Sequence, residues 1–179
     1  MKFLKNKVNG SFIISLDKIS DKRGFFARLF CKEEFVKNSI KFNIPQINTS
    51  ESKKKGTIRG FHYQSGKSAE AKIIRCIRGS IYDVVIDLRK KSKTYMKYYG
   101  VKLSSSNRKM LYVPKGCAHA FQSLEDNIEL IYMVDHKYDP KKEKGVRYND
   151  PSFNIKWPTK ITTVSKKDKS WRFLKAKKQ

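Results

Sequence analysis

With 179 residues, 39% hydrophobic and 12% aromatic, the chain has the apolar content of one packed domain and too much of it for a disordered one. No apolar run is long enough to span a bilayer, so membrane insertion is not expected. A formal net charge of +25 would suit a polyanion. Yet lysine far outnumbers arginine, the lysines are spread along the whole chain, and no helix-turn-helix, zinc-finger, RRM or KH pattern appears, so no specific nucleic-acid partner is expected.

The N-terminal stretch "MKFLKNKVNGSFIISLDK" is basic, but its apolar part is too short for a secretory leader and no small-residue cleavage site follows. "CKEEFVKNSI", residues 31–40, suits a short helix. "AKIIRCIRG" and "SIYDVVIDLR" are β-branched runs that meet at Gly79 and predict a hairpin. "KYYGVKLS", "KMLYVP", "HAFQSL" and "IELIYMV" follow at short spacing, separated by Ser-Ser-Asn, Pro-Lys-Gly and Glu-Asp-Asn turn signals. From Ser165 a second short helix is expected, since Ser165 and Asp168 have N-capping chemistry. Evenly spaced strands with little helix predict a mainly β protein, a jelly-roll barrel or sandwich. It is read as a single domain over residues 1–179, with a Lys-rich tail from about 165. Cys31, Cys76 and Cys117 are odd in number, widely spaced and set among apolar neighbours. They read as reduced, buried thiols of a cytoplasmic protein.

The turn "PKGCAH" (114–119) is similar to the second motif of cupins, small jelly-roll barrels that often hold a metal through a His-x-His pair. Here the first-motif position reads "HYQ", with Gln64 where a second histidine would stand. The only histidines are His62, His119 and His136, and His136 lies in the polar segment "VDHKYDP". A metal site is therefore not expected. His62 remains a proton carrier, a hydrogen-bond donor or a satisfied core residue. Taken singly, Lys72 would be a snorkelling side chain, Tyr132 a core aromatic with a bonded hydroxyl, His119 a loop packer, and Asp168 a helix cap or solvated charge.

"DKRGFFARLF", "PQINTSES", "GTIRGFHYQ", "KIIRCIRGSIYDVVIDLRKKSKTY", "LSSSNRKMLYVPKGCAHAFQSL", "IELIYMVDHKYDP" and "GVRYNDPSFNIKWP" together resemble the dTDP-4-dehydrorhamnose 3,5-epimerase family, in order and in spacing, over roughly residues 10–170. The resemblance implies a cupin jelly roll, a homodimer with exchanged N-terminal strands, no metal and no cofactor, and a nucleotide-diphosphate 4-keto-6-deoxyhexose as substrate. By the same resemblance His62 is the base, Asp168 fixes its tautomer, Tyr132 is the acid on the far face, and Lys72 neutralises the C4 oxygen with His119 nearby. Arg23 and Arg59 would reach sugar or diphosphate. Gln46 and Asn48 would contact the nucleotide, Tyr138 would stack on the base, and Phe26 would sandwich it from the partner chain. Glu143 and Lys167 match further contact positions.

The chemistry explains the residue types. A C–H beside a ketone is lost only if the enolate is stabilised, so epimerisation needs a base on one face, an acid on the other and a cation at the carbonyl oxygen. The C4 ketone flanks both C3 and C5, so one site can invert either. Two departures from the resemblance lie on the nucleotide side: Arg28 where the family often has Glu, and Ile47 where it often has Asp. They leave a CDP- or other NDP-sugar open as substrate. Single-centre epimerisation and a non-catalytic sugar-nucleotide-binding cupin stand as alternatives to double epimerisation.

Overall fold

A computed structural model describes residues 1–174. Its main body is two six-stranded sheets facing each other, a jelly-roll sandwich. The first sheet carries, in spatial order, β1 (Lys2–Lys5), β2 (Phe12–Ser15), β10 (Met110–Val113), β7 (Lys72–Arg78), β12 (Ile128–Val134) and β5 (Gln46–Ser52). The second carries β13 (Glu143–Gly145), β6 (Thr57–Gln64), β11 (Cys117–Ser123), β8 (Ser80–Asp87) and β9 (Tyr98–Ser104), with β14 (Thr163–Val164) running parallel to β6 on the side. A separate hairpin, β3 (Lys18–Asp21) with β4 (Gly24–Ala27), joins neither sheet. Helices α1 (Lys32–Lys37) and α2 (Lys166–Ser170) are short.

Both sheets are covered on both faces, which explains the unbroken apolar runs. Between the sheets, Ile74, Cys76, Val85, Leu103, Leu111, Phe121 and Leu130 form the central core. Their strand neighbours point the other way. Ile73, Met110 and Met133 pack outward beneath Phe35 of α1, and Val84, Ile86, Ala118 and Ala120 pack outward with Phe61 and Phe153. "KIIRC" and "YDVVID" therefore show no polar–apolar alternation, although their side chains alternate in direction.

The meeting of β7 and β8 at Gly79 is not a hairpin. The two strands lie in different sheets, and Gly79, at φ +71°, carries the chain across the sandwich. A Cβ there would sit 2.8 Å from Ile128 Cγ2. A tight β-branched junction looks the same locally whether the strands pair or cross over. The short helices and the later strands lie where the sequence predicts them, and Ser165 Oγ caps α2 by accepting from the Asp168 amide at 2.9 Å. Cys76 and Cys117 are buried free thiols. Cys31, expected to be buried, is a partly exposed free thiol at the N-cap of α1. The part of the Lys-rich tail beyond residue 174 lies outside the described residues.

Candidate active site

The inward-facing positions that build the central core turn polar at one end of the sandwich. Lys72 shares a face of β7 with Ile74 and Cys76, and Tyr132 follows Leu130 on β12. On the opposite sheet His119 lies between the inward Cys117 and Phe121, and Asp83 between Ile81 and Val85. Strand periodicity alone thus aims a lysine and a phenol from one sheet at a histidine and a carboxylate from the other.

His62 needs an irregularity. On β6, Arg59 lies opposite Phe121 and His62 opposite His119, with the register slipping between His119 and Ala120. The extra residue is a β-bulge, and it lets two residues three positions apart both face the cavity. Gly60 permits it: its φ is +117°, and a Cβ there would meet the His119 carbonyl at 2.5 Å.

His62, Lys72, His119 and Tyr132 line one cavity of about 420 Å³, together with Arg59, Lys167 and Asp168. An adjoining cavity of about 300 Å³ shares His62, Lys72 and Tyr132 and extends to Gln46, Asn48, Tyr138 and Glu143. The structure thus brings together eleven of the residues singled out by sequence. Arg23, Phe26 and Arg28 line neither cavity of their own chain. They belong to the projecting hairpin and its edge, where Arg23 pairs with Asp21 and Arg28 with Glu34.

His62 Nε2 is 2.6 Å from Asp168 Oδ1, and Asp168 Oδ2 accepts from the Gly60 amide at 3.3 Å. Burial alone would raise the Asp168 carboxyl, but the His62 contact, the Gly60 amide and the Ser165 hydroxyl together hold it below the usual carboxylate range. An ionised carboxylate only accepts, so Nε2 carries the imidazole proton and the Nδ1 lone pair is left for the cavity. A second pair joins His119 Nε2 to Asp83 Oδ1 at 2.6 Å. Asp83 is fully buried. Burial raises its carboxyl, with His119 and Lys72 acting against the rise.

Lys72 Nζ lies 3.0 Å from Glu70 Oε1. Burial raises the Tyr132 phenol; Glu70 and Glu143 add to the rise and Arg59 opposes it, so the hydroxyl keeps its proton at neutral pH. Arg59 is braced by Ser52 Oγ and the Glu51 carbonyl. At the outer end, Glu143 accepts from Tyr138 at 2.5 Å and from Lys167 at 2.6 Å. Gln46 bonds both Asn48 and the Tyr138 amide. Among the described residues no group of three His, Cys, Asp or Glu side chains is placed to hold a metal ion. Glu70 and Asp83 escape the sequence reading, which takes Gln64 only as a departure from a metal-binding His-x-His pair. The available signal for Asp83 was a lone carboxylate inside "YDVVID", in a strand otherwise too apolar to tolerate an unpaired charge.

A family model described as dTDP-4-dehydrorhamnose 3,5-epimerase matches residues 5–176. The dTDP-4-dehydrorhamnose 3,5-epimerase of Methanothermobacter thermautotrophicus is 36% identical over 177 residues, covering 97% of this chain and 95% of that protein. The crystal structure of the enzyme of that name from Elizabethkingia anophelis superposes with a TM-score of 0.95 at 34% identity, covering 98% of this chain and 97% of the other. The Bacillus anthracis enzyme, solved with TDP and PPi bound, gives 0.93 at 35% identity, covering 97% and 99%. On this match, and on the site that accompanies it, the chain belongs to the dTDP-4-dehydrorhamnose 3,5-epimerase family.

Proposed function

We propose that the protein inverts C3 and C5 of a nucleotide-diphosphate 4-keto-6-deoxyhexose, of the dTDP-4-dehydro-6-deoxy-D-glucose type, without redox chemistry. One observation carries this reading: an imidazole backed by a carboxylate and a protonated phenol approach one cavity from opposite sheets, and an ammonium group lines the same cavity. His62 Nδ1 takes the proton from the ring carbon. The C–H electron pair becomes the enolate double bond as the C4 carbonyl electrons move to oxygen, where Lys72 stabilises the charge. Tyr132 then delivers its hydroxyl proton to the opposite face, and solvent restores both groups. His119, held by Asp83, is placed to contact the sugar.

The adjoining cavity suits the base, with Gln46, Asn48 and Tyr138 on its wall, and Arg59 and Lys167, on the wall of the first cavity, suit the diphosphate. The TDP bound to the Bacillus anthracis relative supports a dTDP-sugar. A homodimer is part of the proposal. The β3–β4 hairpin joins neither sheet, and Ile19 and Phe26 on it are 74% and 69% exposed. A partner's cavity would give Arg23, Phe26 and Arg28 a nucleotide to border. No helix of the described residues is long and apolar enough to cross a membrane, and three unpaired thiols support a reducing, cytoplasmic setting.

The test is exchange in deuterated water with dTDP- and CDP-4-keto-6-deoxyglucose, followed by NMR. Deuterium at both C3 and C5 is expected. Label at one position makes the protein a single-centre epimerase, label on the CDP-sugar alone changes the nucleotide, and no label with tight binding makes it a binding protein. His62→Asn is expected to stop exchange while leaving the fold intact.

A further inference from the structure

Lys72 does not enter the cavity as a free cation. Its Nζ meets Glu70 Oε1 at 3.0 Å, and both residues are buried. Glu70 lies two residues before Lys72, in the segment that leads into β7 (Lys72–Arg78), and the contact itself shows that its carboxylate is turned toward the ammonium group. The other Glu70 oxygen, Oε2, accepts from Gln64 Nε2 at 3.0 Å. Gln64 is itself fixed. Its Oε1 accepts from the Asp139 amide at 2.6 Å, and its Nε2 also donates to the Lys137 carbonyl at 3.2 Å. A backbone N–H and a backbone C=O therefore dictate which way the Gln64 amide faces, and only an acceptor fits at Glu70 Oε2. Both Glu70 oxygens are committed to donors. The chain of contacts runs from the Lys137–Asp139 segment, which carries Tyr138, to the ammonium group at the centre of the site.

We propose that Glu70 is a positioning residue for the epimerase: held in place by Gln64, it pins the Lys72 ammonium so that its remaining N–H donors aim at the substrate C4 oxygen. The inference rests on the role given to Lys72 above. A lysine on its flexible four-carbon stem is a poorly preorganised donor. Fixing one N–H to a buried carboxylate removes that freedom before substrate arrives, and preorganised donors stabilise developing charge. Glu70 also makes the buried pair neutral, which lowers the cost of keeping an ammonium out of water.

Glu70→Gln tests this with an isosteric change. An amide has one acceptor oxygen, while the site presents two donors, Gln64 Nε2 and Lys72 Nζ; one of them would face the new NH₂ group. Lys72 loses its anchor or Gln64 loses its partner. We expect kcat to fall about ten- to a hundredfold, the range for a reacting group misplaced by about an ångström, with KM for the nucleotide sugar nearly unchanged. Tyr132 gives a readout independent of turnover. The charged and titratable groups around it are Arg59, His62 and Tyr63 from β6, Lys72 and Glu70, His119 from β11, Tyr138, Glu143 from β13, and Lys167 and Asp168 from α2. Removing the Glu70 charge eases loss of the phenol proton, so the Tyr132 ¹³Cζ titration, assigned through Tyr132→Phe, moves to lower pH. The alkaline limb of the kcat profile moves with it. Glu70→Asp keeps the charge but shortens the arm, and is expected to lower kcat while leaving that limb where it is.

Wild-type kcat and an unmoved Tyr132 titration in Glu70→Gln would overturn the proposal, as would wild-type kcat in Glu70→Asp if the glutamine variant did not fold. A moved titration in a protein that turns over no nucleotide 4-keto sugar would leave the electrostatic role of Glu70 standing and remove the assigned reaction instead.

Discussion

Asp168 performs two tasks with one carboxylate: Oδ1 holds the His62 ring and Oδ2 accepts from the Gly60 amide. An asparagine there must turn its NH₂ toward one of two donors. If it faces Nε2, that nitrogen becomes the acceptor, the proton moves to Nδ1, and the base is lost. Asp168→Asn should therefore lower kcat by about 10²–10⁴-fold, the usual worth of a positioned base. The same carboxyl makes a stability prediction. Its folded pKa is depressed, so its contribution is complete above the unfolded value of about 3.9 and is lost as pH falls through the lower folded value. Thermal midpoints of the wild type should fall below about pH 4, and those of Asp168→Asn should fall less over the same window. An identical acid profile for the two proteins would show that the pair adds nothing to stability. At this scale sequence was informative where a polar residue interrupted a recognisable motif, as with His62, Lys72 and Tyr132. Glu70 and Gln64 gave no such signal, because their importance lies in whose donors they face, and that is decided by contacts across 75 residues of chain, as between Gln64 and the Asp139 amide.

Helix α2 is little more than one turn and cannot hold Asp168 in place by itself. Its support comes from both sides. Val164 of β14 pairs with Ile58 of β6 just before the cap, and Trp171 just after the helix lies against Gly145 of β13, where an added Cβ would stand 2.2 Å from the indole. Gly145 is in turn the ladder partner of His62. The indole and the imidazole are therefore indexed to the same point of the sheet, and Gly145→Ala should displace Trp171 and carry Asp168 away from His62. We expect kcat to fall about tenfold or more with the barrel intact, since small displacements of a catalytic pair are costly. Altered tryptophan fluorescence with unchanged far-UV circular dichroism would accompany the loss. Unchanged kcat together with unchanged fluorescence would mean that the added methyl group is accommodated without displacing the indole. The Ser165 cap was legible because capping is local chemistry. The crossover at Gly79 was not, since sheet membership depends on partners that lie far away in sequence, and the doubly covered sheets hide their own alternation.

The molecule as a whole carries a net charge of +25 that no single site uses. Its lysines are distributed along the entire chain, so they create a broad positive field and no single binding stripe. Fold class was readable from strand spacing and motif order, because these are properties of one chain. Arg23, Phe26 and Arg28 were not resolvable in the same way: on the hairpin of a single chain they face no cavity, and their proposed work needs a second copy. The field has a kinetic consequence for a substrate carrying a diphosphate. Encounter of opposite charges is accelerated at low salt and screened as the Debye length shrinks from about 30 Å at 0.01 M to about 8 Å at 0.15 M. The chemical step occurs among partly buried groups already in contact, where added salt penetrates little. We therefore expect kcat/KM to decline steadily with ionic strength while kcat stays level. Replacing exposed lysines that line neither cavity and lie off the β3–β4 hairpin, such as Lys41 and Lys54, should flatten the decline without touching kcat. If kcat/KM proves independent of salt, encounter is not limiting or the field is too diffuse to steer, and the excess lysine contributes to solubility alone. If kcat falls instead, the ions are reaching the Lys72–Glu70 or His62–Asp168 pairs, and the site is more open to solvent in turnover than its burial implies.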